Sequence, residues 1–128
     1  MPLIGRVAAG RPILAIEHLE GELTVPADWA RRGTTFALRV EGESMTGAGI
    51  HDGDVIVARA TNDARDGEIV VARMSDEVTV KRLRLRGRSS LLLPENPRFK
   101  PISVDEDTEI AGVVVGLMRD MGGRRGRR

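Results

Sequence analysis

The stretch EIVVARMSDEVTVKRLRL, residues 68–85, decides the fold class. Its two halves, EIVVARM and EVTVKRLRL, are rich in β-branched residues, which favour extended strands. Met74-Ser75-Asp76 stands between them and is typical of a tight turn. The stretch therefore predicts an antiparallel hairpin.

The chain on either side of this hairpin carries more strand signals. In TFALRV, alternation places Phe36, Leu38 and Val40 on one face. VPADWARRG indicates a turn or short helix around Asp28, whereas residues 13–25 fit no single element. Several short strands at regular spacing predict a mainly β domain of short twisted strands. The predicted strands outside the hairpin are TFALRV (35–40), DVIVARA (54–60), SSLLL (89–93) and IAGVVVGLM (110–118).

We expect three segments along the 128 residues. Residues 1–12 predict an exposed, extended arm, because their prolines and glycines discourage regular structure. Residues 13–120 are long enough for one domain with a single core. Residues 121–128 hold four arginines after Met121 and predict a basic, disordered tail, with a weak electrostatic contact to nucleic acid as the alternative.

Composition excludes several classes of protein. The chain has no cysteine, so disulfides and thiolate metal sites are excluded. Three aromatic residues are too few for a base-stacking surface, while a net charge of +1 argues neither for nor against binding of nucleic acid. No apolar run approaches the ~20 residues of a membrane span, and Arg6 interrupts what could resemble a secretion signal. We expect a cytoplasmic protein that makes no membrane contact.

The stretch VEGESMTGAGIHDGDVIV, residues 40–57, surrounds Ser44 with turn-forming residues. It fits either an ordinary surface loop or a serine nucleophile held at a bend. Asp52 and Asp54 invite comparison with a calcium loop, but the following positions supply no further ligands, so turn formation is the better interpretation. We predict no metal site and no cofactor.

A nucleophilic serine needs a base to remove its proton. His18 and His51 lie in no recognisable triad, and His51 fits a solvated loop residue. Eighteen of the twenty basic residues are arginine, and only Lys81 and Lys100 are lysine. A lysine can act as a base once burial lowers its pKa, whereas arginine cannot lose its proton.

The strand pattern places Lys81 toward apolar surroundings, although not cleanly. Val78 and Val80 fall on the opposite face, so a solvated strand lysine stays open as the alternative. Lys81 shares its predicted face with Thr79, Leu83 and Leu85, and the other face carries Arg82, Arg84 and Arg86.

Three motifs resemble the self-cleaving C-terminal domain of LexA-type repressors, and more distantly UmuD and the lambda-type phage repressors. They are GESM with GIHDGD, EIVVARMSDEVTVKRL, and LLPENPRFKPI, and the likeness covers nearly the whole chain. The resemblance implies that Ser44 is the nucleophile and that Lys81, 37 positions later, is its base. It places the scissile bond at Ala9–Gly10. The backbone N–H groups of Ser44 and Met45 are candidate donors to the oxyanion.

The resemblance also implies a function and partners. It predicts a serine peptidase of the SOS response to DNA damage that cuts itself when stimulated by a RecA–single-stranded DNA filament, and a homodimer. Residues 110–118 predict a last, buried strand, in which residues 113–118 fit plain core. In the family the last strand contributes to the two-fold contact, and an apolar edge strand at residues 113–118 would suit that use.

Some alternatives stay open at this point. Operator DNA would be bound only through a helix-turn-helix domain, and nine residues precede the expected cleavage site here. We expect a fragment of a longer repressor, with a stand-alone UmuD-like polymerase accessory factor as the alternative. A dimerisation module that never cleaves is a further one.

Overall fold

A computed structural model describes residues 1–4, 19–31, 33–74 and 77–122. Nine strands form one mixed sheet in the order β2-β1-β3-β4-β9-β5-β6-β7-β8. All neighbouring strands are antiparallel except β1 and β3, which are parallel. The predicted mainly β fold is confirmed. The elements are β1 Pro2–Ile4, β2 Leu19–Glu22, α1 Ala27–Ala30, β3 Thr35–Arg39, β4 Val55–Ala60, β5 Ile69–Met74, β6 Glu77–Arg86, β7 Ser89–Leu93, β8 Ile102–Ser103 and β9 Thr108–Met118.

The hairpin predicted from residues 68–85 is present as β5 and β6. Their register pairs Val70 with Lys81 and Met74 with Glu77, while two of the turn residues, 75 and 76, lie outside the described residues. Alternation in β3 is also as predicted, because Phe36 and Leu38 enter one buried cluster and Ala37 enters another. The β-branched runs therefore identified the hairpin, and the period-two pattern identified β3 and the face that carries Phe36 and Leu38.

The prediction of an exposed start is wrong for residues 2–4. Leu3 and Ile4 are 7% and 0% exposed and form strand β1, which pairs with β2 on one side and β3 on the other. Pro2 is tolerated because proline can occupy the first residue of a strand. The rest of the predicted arm lies outside the described residues.

The last strand runs through the middle of the sheet, as expected for a buried strand, rather than along an edge of it. β9 lies between β4 and β5 and has a register shift against each of them. Yet β5 pairs with β9 only as far as Val113, while β4 continues to Met118. Within the described pairing, residues 114–118 therefore have a strand partner on one side only.

Other short elements fill in what the sequence left open. The ambiguous region 13–25 contributes β2, and the predicted helix at Asp28 is the single turn α1. Strand β8 was not predicted; it adds two residues beyond β7. At the C-terminus Met121 is exposed, and residues 123–128 lie outside the described part of the chain. In that described part, no helix is long and apolar enough to cross a membrane.

Candidate active site

The turn that carries Ser44 is fixed to the core by the residues that follow it. Met45 and Ile50 are 2% and 4% exposed and pack in the same buried cluster as β3 and β4. A 3₁₀ turn at Thr46–Ala48 connects them, and Gly49 closes it with a φ of 83°, a value that glycine reaches without strain. Core packing therefore determines where Ser44 lies.

The structure brings Ser44 and Lys81 together. The Nζ atom of Lys81 lies 3.0 Å from Ser44 Oγ and is hydrogen bonded to it. The hydroxyl of Thr79, two residues before Lys81 on the same face of β6, accepts a second hydrogen bond from Nζ. Two residues separated by 37 positions thus form a hydroxyl–amine pair, as a serine nucleophile and its base require.

Lys81 is buried, as a lysine that acts as a base needs to be. It is 7% exposed, so the interpretation as a solvated strand lysine is wrong. Burial lowers the pKa of Lys81 from the ordinary 10.5 because the charged amine loses hydration, and the carboxylate of Glu77 opposes this only in part. Burial therefore makes the neutral amine, which can accept a proton, easier to reach than in an exposed lysine.

The backbone around Ser44 leaves donors available. Among the hydrogen bonds between described residues, the N–H groups of Ser44 and Met45 have no acceptor. Such adjacent N–H groups can stabilise a negatively charged oxygen in a transition state. Residues 95 and 96 donate hydrogen bonds to carbonyl groups of the same turn. The N–H of Glu95 donates to the carbonyl of Ser44, and the side-chain amide of Asn96 donates to the carbonyl of Glu43.

An ion pair between the exposed Arg119 and the buried Asp54 holds the far end of the turn. Asp54 is 2% exposed and accepts hydrogen bonds from Arg119 Nε at 2.7 Å and Nη2 at 2.8 Å. It also accepts one from the N–H of His51, and Arg119 donates to the carbonyl of Gly49 at 2.7 Å. The bonds from Arg119 hold the pKa of Asp54 below its usual 3.8.

The acidic residues of this turn accept hydrogen bonds from backbone N–H groups. Asp52 accepts a hydrogen bond from the N–H of Gly42 at 2.7 Å, as the turn interpretation predicted. His51 is exposed, in agreement with its assignment as a loop residue. Nowhere in the described ranges do three or more His, Cys, Asp or Glu side chains gather as metal ligands.

Some predicted residues are not described, and some contacts were not predicted. Ala9, Gly10 and His18 lie outside the described residues. The contacts of Asp54 with Arg119 and of Asn96 with the Ser44 turn have no sequence signature, because they depend on tertiary neighbours 65 and 53 positions away.

Comparison with known proteins agrees with this geometry. The Peptidase S24-like family matches residues 2–115 of the chain. The chain is 50% identical over 123 residues to a LexA repressor of Erwinia tasmaniensis, covering 94% of this chain and 61% of that repressor. It is 50% identical over 121 residues to a LexA repressor of Bordetella avium, covering 93% of this chain and 57% of the repressor. The chain thus spans about three fifths of the length of these relatives.

Proposed function

Because the chain belongs to the peptidase S24-like family, we propose that it is the self-cleaving serine peptidase domain of a LexA-type repressor. It cuts its own Ala9–Gly10 bond with a Ser44–Lys81 dyad. The observation that carries this proposal is the 3.0 Å contact between Lys81 Nζ and Ser44 Oγ around a buried amine. The names of the two relatives favour a repressor over a UmuD-like accessory factor.

The chemistry follows from the two side chains. Neutral Lys81 accepts the proton of the Ser44 hydroxyl as Oγ attacks the carbonyl carbon of Ala9. The N–H groups of Ser44 and Met45 stabilise the oxyanion of the tetrahedral intermediate. As the C–N bond to Gly10 breaks, protonated Lys81 gives its proton to the departing amine, and water then releases the acyl group from Ser44.

Self-cleavage needs no binding of a separate substrate. The scissile bond belongs to the same chain, so its effective concentration at Ser44 depends only on how often the segment docks. In this proposal a RecA–single-stranded DNA filament stimulates cleavage by favouring the docked state, as a ligand that binds one conformer better shifts the population toward it. Operator binding would belong to a helix-turn-helix domain outside this chain.

The open backbone edge of β9 supports a homodimer. Residues 114–118 pair with β4 alone, and two copies could join their edges across a two-fold axis. Leu117, in this segment, is 38% exposed, which suits an apolar contact. Sedimentation equilibrium tests this: a dimer is expected, and a monomer at micromolar concentration would contradict it.

Intact-mass spectrometry of the purified chain tests the cleavage. The expected product begins at Gly10. Ser44→Ala removes the nucleophile and Lys81→Arg keeps the positive charge but cannot act as a base, so both are expected to abolish it. Lys100→Arg changes the other, exposed lysine and is expected to cleave like the wild type.

The same measurement with added RecA filament separates the remaining alternatives. A dimerisation module that never cleaves would yield no Gly10 fragment with or without the filament. Cleavage that survives Lys81→Arg would contradict the dyad.

A further inference from the structure

Two consecutive peptide groups at the nucleophile are held by their carbonyl oxygens. The side-chain amide of Asn96 donates from Nδ2 to the carbonyl of Glu43 at 2.8 Å. The backbone N–H of Glu95 donates to the carbonyl of Ser44 at 2.7 Å. Both of these donors come from the segment after β7, which is remote in sequence from the turn. The carbonyl of Glu43 also accepts a longer hydrogen bond, at 3.4 Å, from the N–H of Thr46 within the turn.

These carbonyls belong to the same peptide groups as the two free N–H donors. The Glu43–Ser44 peptide carries the N–H of Ser44, and the Ser44–Met45 peptide carries the N–H of Met45. A trans peptide is planar, so its C=O and N–H point in opposite directions, and no peptide bond between described residues is cis. Holding each carbonyl therefore fixes the direction of the N–H on the other side.

Further contacts make this attachment rigid. Gly47 donates its N–H to the carbonyl of Glu95 at 2.7 Å, and a Cβ at Gly47 would lie only 2.5 Å from that oxygen. The Oδ1 atom of Asn96 accepts the N–H of Arg98 at 3.0 Å. This bond orients the side-chain amide. Because Oδ1 faces the N–H of Arg98, Nδ2 faces the Ser44 turn.

We propose that Asn96 is a positioning residue for the oxyanion site: its side chain fixes the Glu43–Ser44 peptide so that the Ser44 N–H points at the reacting carbonyl oxygen. Asn96 touches neither Ser44 Oγ nor Lys81 in the hydrogen bonds of the described residues. It acts through the backbone. This inference rests on the proposed function, since it assigns a role within that reaction.

Two variants of Asn96 test the role. Asn96→Ala removes the Nδ2 donor without changing the charge near Lys81. Asn96→Asp keeps the Oδ1 acceptor for Arg98 but replaces the Nδ2 donor with a negatively charged oxygen that cannot donate to the Glu43 carbonyl. Removal of one oxyanion donor costs about 10²–10³ in rate, so misdirecting one is expected to cost roughly 10- to 100-fold. Asn62→Ala, the same change at an exposed asparagine, is the matched control and is expected to match the wild type.

Two readouts separate positioning from loss of the base. The first is the rate of Gly10 fragment formation as a function of pH. The plateau rate at high pH is expected to fall in both variants, whereas the pH midpoint of Asn96→Ala is expected to stay at the wild-type value. The second is the rate at which a fluorophosphonate labels Ser44. Labelling forms an Oγ–P bond with loss of fluoride, places a P=O oxygen in the same site, and does not need the chain to dock its own cleavage segment.

The outcomes distinguish this inference from the proposed function. Parallel falls in plateau and labelling rate, with a wild-type midpoint and Tm, support it. Three outcomes overturn this inference but leave the proposed function standing. They are wild-type rates in both variants, a shifted pH midpoint in Asn96→Ala, and loss of the folded state in both variants. A wild-type chain that neither cleaves nor labels at Ser44 overturns the proposed function and this inference together.

Discussion

Replacing Lys81 with methionine is expected to stabilise the folded chain, and to do so in a pH-dependent way. Lys81 is 7% exposed, and burial lowers its pKa below 10.5 because the charged form is poorly solvated. Methionine has a similar length and no charge to bury. A buried ionic group replaced by an apolar one of similar volume often leaves a protein more stable.

The size and sign of the effect follow from proton linkage. Each unit by which burial lowers the pKa of Lys81 destabilises the charged folded state by about 1.4 kcal/mol. For a chain of 128 residues, that corresponds to about 5 °C in Tm. Below the lowered pKa both states carry the proton and the full cost is present. Between that pKa and 10.5 the unfolded chain binds more protons, so wild-type stability rises with pH and the advantage of methionine shrinks.

Thermal unfolding followed by circular dichroism from pH 6 to pH 10.5 measures this difference. Both chains carry Ser44→Ala so that neither can cut itself during the experiment. Lys100→Met is the matched control, because Lys100 is exposed and its replacement should leave no pH-dependent difference. An advantage of Lys81→Met that is constant across the range, or that grows with pH, would refute the idea of a buried amine with a lowered pKa.

Two more predictions concern contacts that hold the site and the sheet. Asp54→Asn should lower Tm more at pH 7 than at pH 3. Arg119 lowers the pKa of Asp54 below 3.8, and the charged pair stabilises the fold only while the carboxylate is ionised. Equal losses of Tm at both pH values would contradict this prediction. Gly116→Ala should cost about 1–3 kcal/mol through overpacking and shift the emission of Trp29 to longer wavelength, since a Cβ at Gly116 would lie 2.4 Å from the indole ring. Gly21→Ala is the control, because a Cβ at Gly21 would have no atom within 4 Å. An unchanged Trp29 emission spectrum in Gly116→Ala would contradict the packing of the indole ring against Gly116.

Local patterns predicted much of the fold. Residues 35–40 alternate clearly and residues 68–85 hold two β-branched runs, and the structure has the strand and the hairpin that these patterns predict. Strand β1 was missed because Leu3 and Ile4 are buried by β3, more than thirty positions away, and nothing near Pro2 signals that partner. The position of β9 inside the sheet is likewise a matter of long-range pairing.

The candidate site, like the fold, could be predicted from the sequence only in part. Lys81 could be singled out from the residues alone, because a lysine among arginines on a partly apolar face suggests a special role. Its pairing with Ser44 came from family resemblance, since no spacing rule joins a turn to a strand 37 positions later. Asn96 could not be found, because its side chain contacts a backbone carbonyl, and backbone contacts leave no mark in the pattern of residue types.

The pH dependence of self-cleavage tests the central claim most directly, because only a neutral Lys81 can activate Ser44. The rate constant for appearance of the Gly10 fragment is measured by intact mass between pH 6 and pH 10.5. The account predicts a tenfold rise per pH unit, levelling off at a midpoint below the ordinary lysine pKa of 10.5. A rate that does not change with pH, or a rise that persists in Lys81→Arg, would contradict it.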